Sequence, residues 1–169
     1  GSATVSRFEG WLARHMDRPW GAWVHLWDPD QAADFDGGVE ASLGEVDGAL
    51  QRMLDAVEGA RATDSTMVVV VGTHGMLLGA HGGQGNATLY DDGVRVPFMV
   101  RAPGTEVREA SIDAQVRLMD VANTALEWLE LDRMDASEGI ALLEYAKGTR
   151  TKTIWCPLVG RDVDGDWLI

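Results

Sequence analysis

The chain has 169 residues, with 27 acidic against 14 basic side chains and a formal net charge of −13. With 46% hydrophobic residues it can bury a substantial core, which excludes an intrinsically disordered chain or a disulfide-stapled miniprotein. A pI near 4.5 argues against a nucleic-acid binder that works by neutralising phosphates, and no apolar run approaches a membrane span.

The single cysteine, Cys156, allows no internal disulfide, and no stretch has the basic start and apolar middle of a signal peptide. Both features favour a cytoplasmic location. Elements follow in chain order. Val5, Phe8, Leu12 and Met16 recur at steps of three and four, which predicts an amphipathic helix ending before Pro19. Trp23 to Trp27, bounded by Gly21 and Asp28-Pro29, reads as a short buried strand. Val39, Leu43, Val46, Leu50, Leu54 and Val57 give the most sustained helical period in the chain. Met67 to Val71 is a β-branched run of the kind found where helices cover both faces of a parallel strand. Helix, strand, helix, strand predicts an α/β fold with a mostly parallel central sheet flanked by helices.

Six glycines, at 72, 75, 79, 82, 83 and 85, mark a loop after that strand, where α/β proteins bind ligands. Val96 to Arg101 is the next strand, and Ile112 to Leu131 reads as a second long helix. Residues 149–169 show no clear period, and a tail packing on the domain or on a partner is expected there.

Three segments carry specific motifs. Met67-Val68-Val69-Val70-Val71-Gly72-Thr73-His74-Gly75 is followed by Leu78-Gly79-Ala80-His81-Gly82 and by Thr88-Leu89-Tyr90-Asp91-Asp92-Gly93-Val94-Arg95-Val96-Pro97-Phe98. This order resembles the sulfatase branch of the alkaline phosphatase superfamily: a strand ending in Ser-Asp-His-Gly, a Leu-Gly-x-His-Gly loop, a lysine, and Thr-Leu-Tyr-Glu-Glu-Gly-Val-Arg-Val-Pro. His25-Leu26-Trp27-Asp28-Pro29-Asp30 is similar to that family's His-x-x-Asp-Pro-His strand end, and Asp36-Gly37-Gly38-Val39 to its Tyr-Asp-Gly-Glu-Val helix start. Val116 to Leu126 resembles its Asp-x-x-Pro-Thr-Leu helix, and Glu138 to Leu143 its Asp-Gly-x-Ser-Leu-Leu turn. The likeness covers roughly residues 5 to 148, within a sulfatase-like α/β domain set at 3–148.

The resemblance implies a divalent cation, usually calcium, at the strand-end pair, which falls on Thr73 and His74. Thr73 replaces a carboxylate with a neutral hydroxyl. The family lysine that contacts the ester falls on Asn86, and the second histidine of the strand-end motif on Asp30. His25 matches a family histidine that contacts the ester or aids its leaving group. The family's nucleophile motif, Cys/Ser-x-Pro-x-Arg, occurs nowhere in the 169 residues, since Cys156-Pro157 with Arg161 has the wrong spacing.

Other readings stand beside these. His74 and His25 also read as a structural turn residue and as a hydrogen-bonded interior side chain. His81 reads as a loop-packing residue, Asp91 and Asp92 as braces of the turn before the next strand, and Trp20, Trp23 and Trp27 as packing residues. Asp162, Asp164 and Asp166 read as a solvated turn, because the glycine is misplaced for a calcium loop and no distal glutamate follows.

The resulting expectation is a degenerate, truncated sulfatase-like domain without hydrolase activity of its own, serving as a binding, scaffolding or assembly module. No cofactor is expected, with calcium or another divalent cation retained only if the remnant site works. A partner chain or self-association is expected to cover the face left by the absent catalytic half. The alternative is half of an active metal-dependent sulfate or phosphate ester hydrolase or transferase, its nucleophile supplied by another segment or chain.

Overall fold

The computed structural model describes residues 1–27, 38–82, 84–85, 89–105, 111, 114–146, 160–161 and 167–168. Their contacts divide them at Thr66 into a helical unit, Gly1–Thr66, and a mixed α/β unit, Met67–Ile169.

The first unit is built on two helices, α1 (Ser2–Leu12) and α2 (Gly38–Gly59), which pack on one another. On α1 the buried residues are Val5 and Leu12, as the periodicity predicts, and each such side chain stabilises the unit by about 1.5–3 kcal/mol. α1 stops at Leu12 rather than running on toward Pro19. The amides of Arg14 and His15 bond to the carbonyls of Trp11 and Leu12, an i to i−3 pattern that tightens the last turn, and Met16 stays 47% exposed.

On α2 the helix is found where the period puts it, but its buried stripe is Ser42, Ala49 and Val57. Leu43, expected to face inward, is 53% exposed. The buried Ser42 hydroxyl is satisfied by the Val39 carbonyl at 2.8 Å. The Arg52 guanidinium donates to both Glu9 carboxylate oxygens, at 3.1 and 2.7 Å. Both side chains are partly exposed, so solvent screens the pair to under about 1 kcal/mol. Around Trp20, the rings of Phe8 and Trp11 pack edge to face, with centroids at 6.4 and 5.9 Å.

The segment 23–27 is a correction. It forms no regular element, and no described residue forms a ladder with it. A strand exists only through its partner's hydrogen bonds, and this segment does not hold its aromatics inside: Trp23 is 82% and Trp27 58% exposed.

The second unit holds β1 (Val68–Val71), β2 (Leu77–Leu78), β3 (Gln84–Gly85), α3 (Asp91–Val94), β4 (Phe98–Arg101), α4 (Asp120–Trp128), α5 (Leu143–Ala146), β5 (Gly160–Arg161) and β6 (Trp167–Leu168). The α/β class is as expected, but the described strands pair antiparallel: β1 with β4, β2 with β3, and β5 with β6. The reason lies in the connection. A parallel partner needs a crossover that carries the chain back along the first strand. Between β1 and β4 the described chain makes only the β2–β3 ribbon, a 3-10 turn at Ala80–Gly82 and the one-turn α3. β4 therefore starts where β1 ends, with Val71 opposite Phe98 and the Gly72 amide bonded to the Pro97 carbonyl at 3.0 Å.

The second long helix is shorter than Ile112 to Leu131 suggests: α4 begins at Asp120. Its carboxylate accepts the Arg117 amide at 2.7 Å, while the amides of Asp120 and Val121 make i to i−3 bonds. At its other end the Trp128 indole donates to the Pro103 carbonyl at 2.9 Å, tying α4 to the turn after β4. Within the tail, 149–169, only β5 and β6 are described, so Cys156 and the aspartates at 162, 164 and 166 lie outside the described residues. No helix among the described residues is long and apolar enough to cross a membrane.

Candidate functional site

Four consecutive valines carry β1 to Gly72, and the chain turns there through Thr73, His74 and Gly75. The turn is held from behind by α3. The Gly75 amide donates to the Gly93 carbonyl at 2.9 Å, and a Cβ on Gly75 would overlap the Asp92 carbonyl oxygen. Only glycine permits that approach. Thr73 is exposed on the turn and His74 is partly buried.

His74 Nδ1 lies 2.8 Å from the Gly75 carbonyl oxygen. A carbonyl only accepts, so Nδ1 carries the hydrogen and donates it. This is the arrangement by which a backbone carbonyl orients a metal-binding imidazole. Among the described residues the rest of a cation site is not in place. Thr73 offers a neutral hydroxyl where a hard divalent ion requires anionic oxygen, and no group of three or more His, Cys, Asp or Glu side chains is poised around one point among the described residues. The residues present at this turn do not fit a divalent cation.

His25 belongs to the first unit. It is exposed and stacks on Trp27, with ring centroids 4.3 Å apart and planes inclined at 28°, so it is not an interior side chain. Asn86 and Asp30 lie outside the described residues.

Two groupings were not legible in the sequence. His81, in the glycine-rich loop, stacks on Tyr90 with centroids 3.8 Å apart, and its Nε2 lies 3.4 Å from Asp92 Oδ2. Here the reading of His81 as a packing residue and of Asp92 as a brace describes the geometry, but spacing alone did not join the two. The second is the wholly buried polar side of α4. Asp120 Oδ1 accepts the Ile140 amide at 2.9 Å and the Arg117 guanidinium at 3.3 Å. The Thr124 hydroxyl accepts the Leu142 amide at 3.1 Å, and the Asn123 amide group donates to Ser137 Oγ and the Gly139 carbonyl. The two motifs at 116–126 and 138–143 therefore form one side-chain to backbone lock. A Cβ on Gly139 would overlap the Met119 carbonyl oxygen, which explains the glycine of the second motif.

The chain is similar to an arylsulfatase from Volvox carteri, at 32% identity over 89 residues, 50% of this chain and 14% of the relative. It is similar to an arylsulfatase from Clostridium perfringens (strain 13 / Type A) at 26% identity over 104 residues, 60% of this chain and 22% of the relative. The chain thus spans under a quarter of either relative. Its fold is similar to that of the phosphonate monoester hydrolase SpPMH from Silicibacter pomeroyi, with a TM-score of 0.59 at 23% identity, over 92% of this chain and 32% of that one. The sulfatase family model matches residues 6–131, well over half of the 169 residues, and the chain belongs to the sulfatase family.

Proposed function

We propose that these residues form a sulfatase-like segment that has lost hydrolase activity of its own and acts as a binding or assembly module. The observation that carries this reading is Thr73, exposed on the strand-end turn where a metal carboxylate is required. The sequence adds Asn86 for a lysine and Asp30 for a histidine, which remove positive field from a pocket meant for an anionic ester. No Cys/Ser-x-Pro-x-Arg nucleophile lies within these residues. The single cysteine fits a reducing compartment, and the cytoplasm is the proposed location.

The test is calorimetry with calcium, manganese and zinc, coupled to turnover of aryl sulfate and aryl phosphate esters. Neither micromolar binding nor turnover is expected from this chain alone. Thr73→Asp, which restores an anionic oxygen beside His74, is expected to tighten calcium binding by about tenfold or more. Turnover and micromolar binding by the unmodified chain, both lost in His74→Ala, would sink the proposal.

The orientation of His74 by the Gly75 carbonyl favours a second reading, in which the chain supplies part of an active metal-dependent sulfate or phosphate ester hydrolase. Its nucleophile would then stand on another segment or chain. Activity appearing only when a polypeptide bearing Cys/Ser-x-Pro-x-Arg is added, and depending on His74, would select it.

A protein partner or a second copy is proposed for the β1–β4 ribbon. All four valines of β1 are partly exposed, and Met99 and Val100 of β4 are exposed by 56% and 37%. Two strands alone are marginally stable in water, and because neighbouring strand residues point to opposite sides, apolar side chains are exposed on both sides of the ribbon, where such a partner would cover them. Light scattering at high concentration should give a mass well above the 18.3 kDa of one chain. A strict monomer would count against self-association through this ribbon.

A further inference from the structure

His81 is held in the left-handed region, with φ of 55°, a conformation a histidine keeps only where its surroundings over-determine it. Here two contacts do so. The imidazole lies nearly parallel to the Tyr90 ring, 13° apart, and Nε2 meets the Asp92 carboxylate. Tyr90 and Asp92 are the N-cap and the second residue of α3. The same short helix receives the strand-end turn from another direction: Gly75 packs against the Asp92 carbonyl and bonds to that of Gly93. Asp92 is therefore gripped twice, through its side chain by the glycine loop and through its backbone by the turn that carries Thr73 and His74.

We propose that the His81–Tyr90–Asp92 cluster is a strap that fixes α3 against the Thr73–His74–Gly75 turn. α3 spans only four residues and cannot hold its own place by helix propensity. Its position is set by what grips it. On one side this is the continuation of the chain into β4, and on the other the His81 ring. The strap works whether or not the turn binds an ion, so it stands apart from the functional reading above.

The experiment is amide hydrogen exchange on the intact chain, with His81→Gly and Asp92→Ala. The first accepts the left-handed backbone but removes the ring. The second removes the carboxylate and keeps the carbonyl on which Gly75 rests. Both side chains are about half exposed, at 46% and 49%, so neither substitution opens a core cavity. The Gly75 amide is expected to exchange about tenfold faster or more in both variants, with the α4 amides unchanged. His81→Phe, which keeps the stack and loses the carboxylate contact, is expected to recover part of the protection. Faster exchange confined to residues 79–82, with Gly75 as slow as before, would overturn the proposal. So would a loss of protection that appears in α4 to the same degree as at Gly75.

Discussion

Gly75→Ala is expected to destabilise the α/β unit by about 3 kcal/mol, read as a shift in the urea unfolding midpoint. The new methyl would overlap the Asp92 carbonyl oxygen and lie 2.9 Å from the Asp92 carbonyl carbon and 3.2 Å from the Arg95 carbonyl oxygen. These are backbone atoms of a one-turn helix, so no side chain can swing aside to relieve the contact. Moving the turn away would also break the 2.9 Å bond from the Gly75 amide to Gly93, worth about 1 kcal/mol. Gly79→Ala is the contrast. A Cβ there meets nothing within 4 Å, and only the positive φ of 88° resists the change, at about 1 kcal/mol. If both substitutions fall within about 0.5 kcal/mol of the unmodified chain, the close approach of turn and α3 is wrong.

Removal of the Asp120 carboxylate should cost more. Asp120→Ala is expected to lose about 3–5 kcal/mol in the same measurement. The side chain is wholly buried and satisfies three donors: the Arg117 amide, the Arg117 guanidinium and the Ile140 amide. Without it two backbone amides lose their acceptor. The guanidinium, 11% exposed, keeps the Glu138 carbonyl but loses the Asp120 charge. Asp120→Asn retains the shape and one acceptor, so an intermediate loss is expected. An Asp120→Ala variant within about 1 kcal/mol of the unmodified chain would show that segment 138–143 is held by its leucines instead. Leu142 and Leu143 are buried at 4% and 9% exposure, which makes that outcome a meaningful rival.

The contrast between these two positions shows what was readable in advance. The glycine of the strand-end turn and the aspartate of the later helix both stand out as motif residues. Spacing supplied the order and the family, but not the mates. Gly75 lies 18 residues from Gly93, and Asp120 lies 20 from Ile140, separations over which no local period operates. The same limit hid the pairing of His81 with Asp92. It also let Trp23 to Trp27 read as a strand, since aromatic and β-branched content favours extended backbone but cannot furnish the neighbour that makes a ladder.

By itself the sequence determined the α/β class, the places of α2, β1 and β4, and membership of the sulfatase family. Periodicity and local motif chemistry act within a few residues, so each survives in a linear reading. Tertiary structure alone decided the antiparallel sense of β1 and β4, the start of α4 at Asp120, the outward exposure of Trp23 and His25, and the double grip on α3. Those depend on which distant backbone amides and carbonyls meet. A buried carboxylate or a glycine without a side chain permits such a meeting, but only the folded chain shows whom it meets.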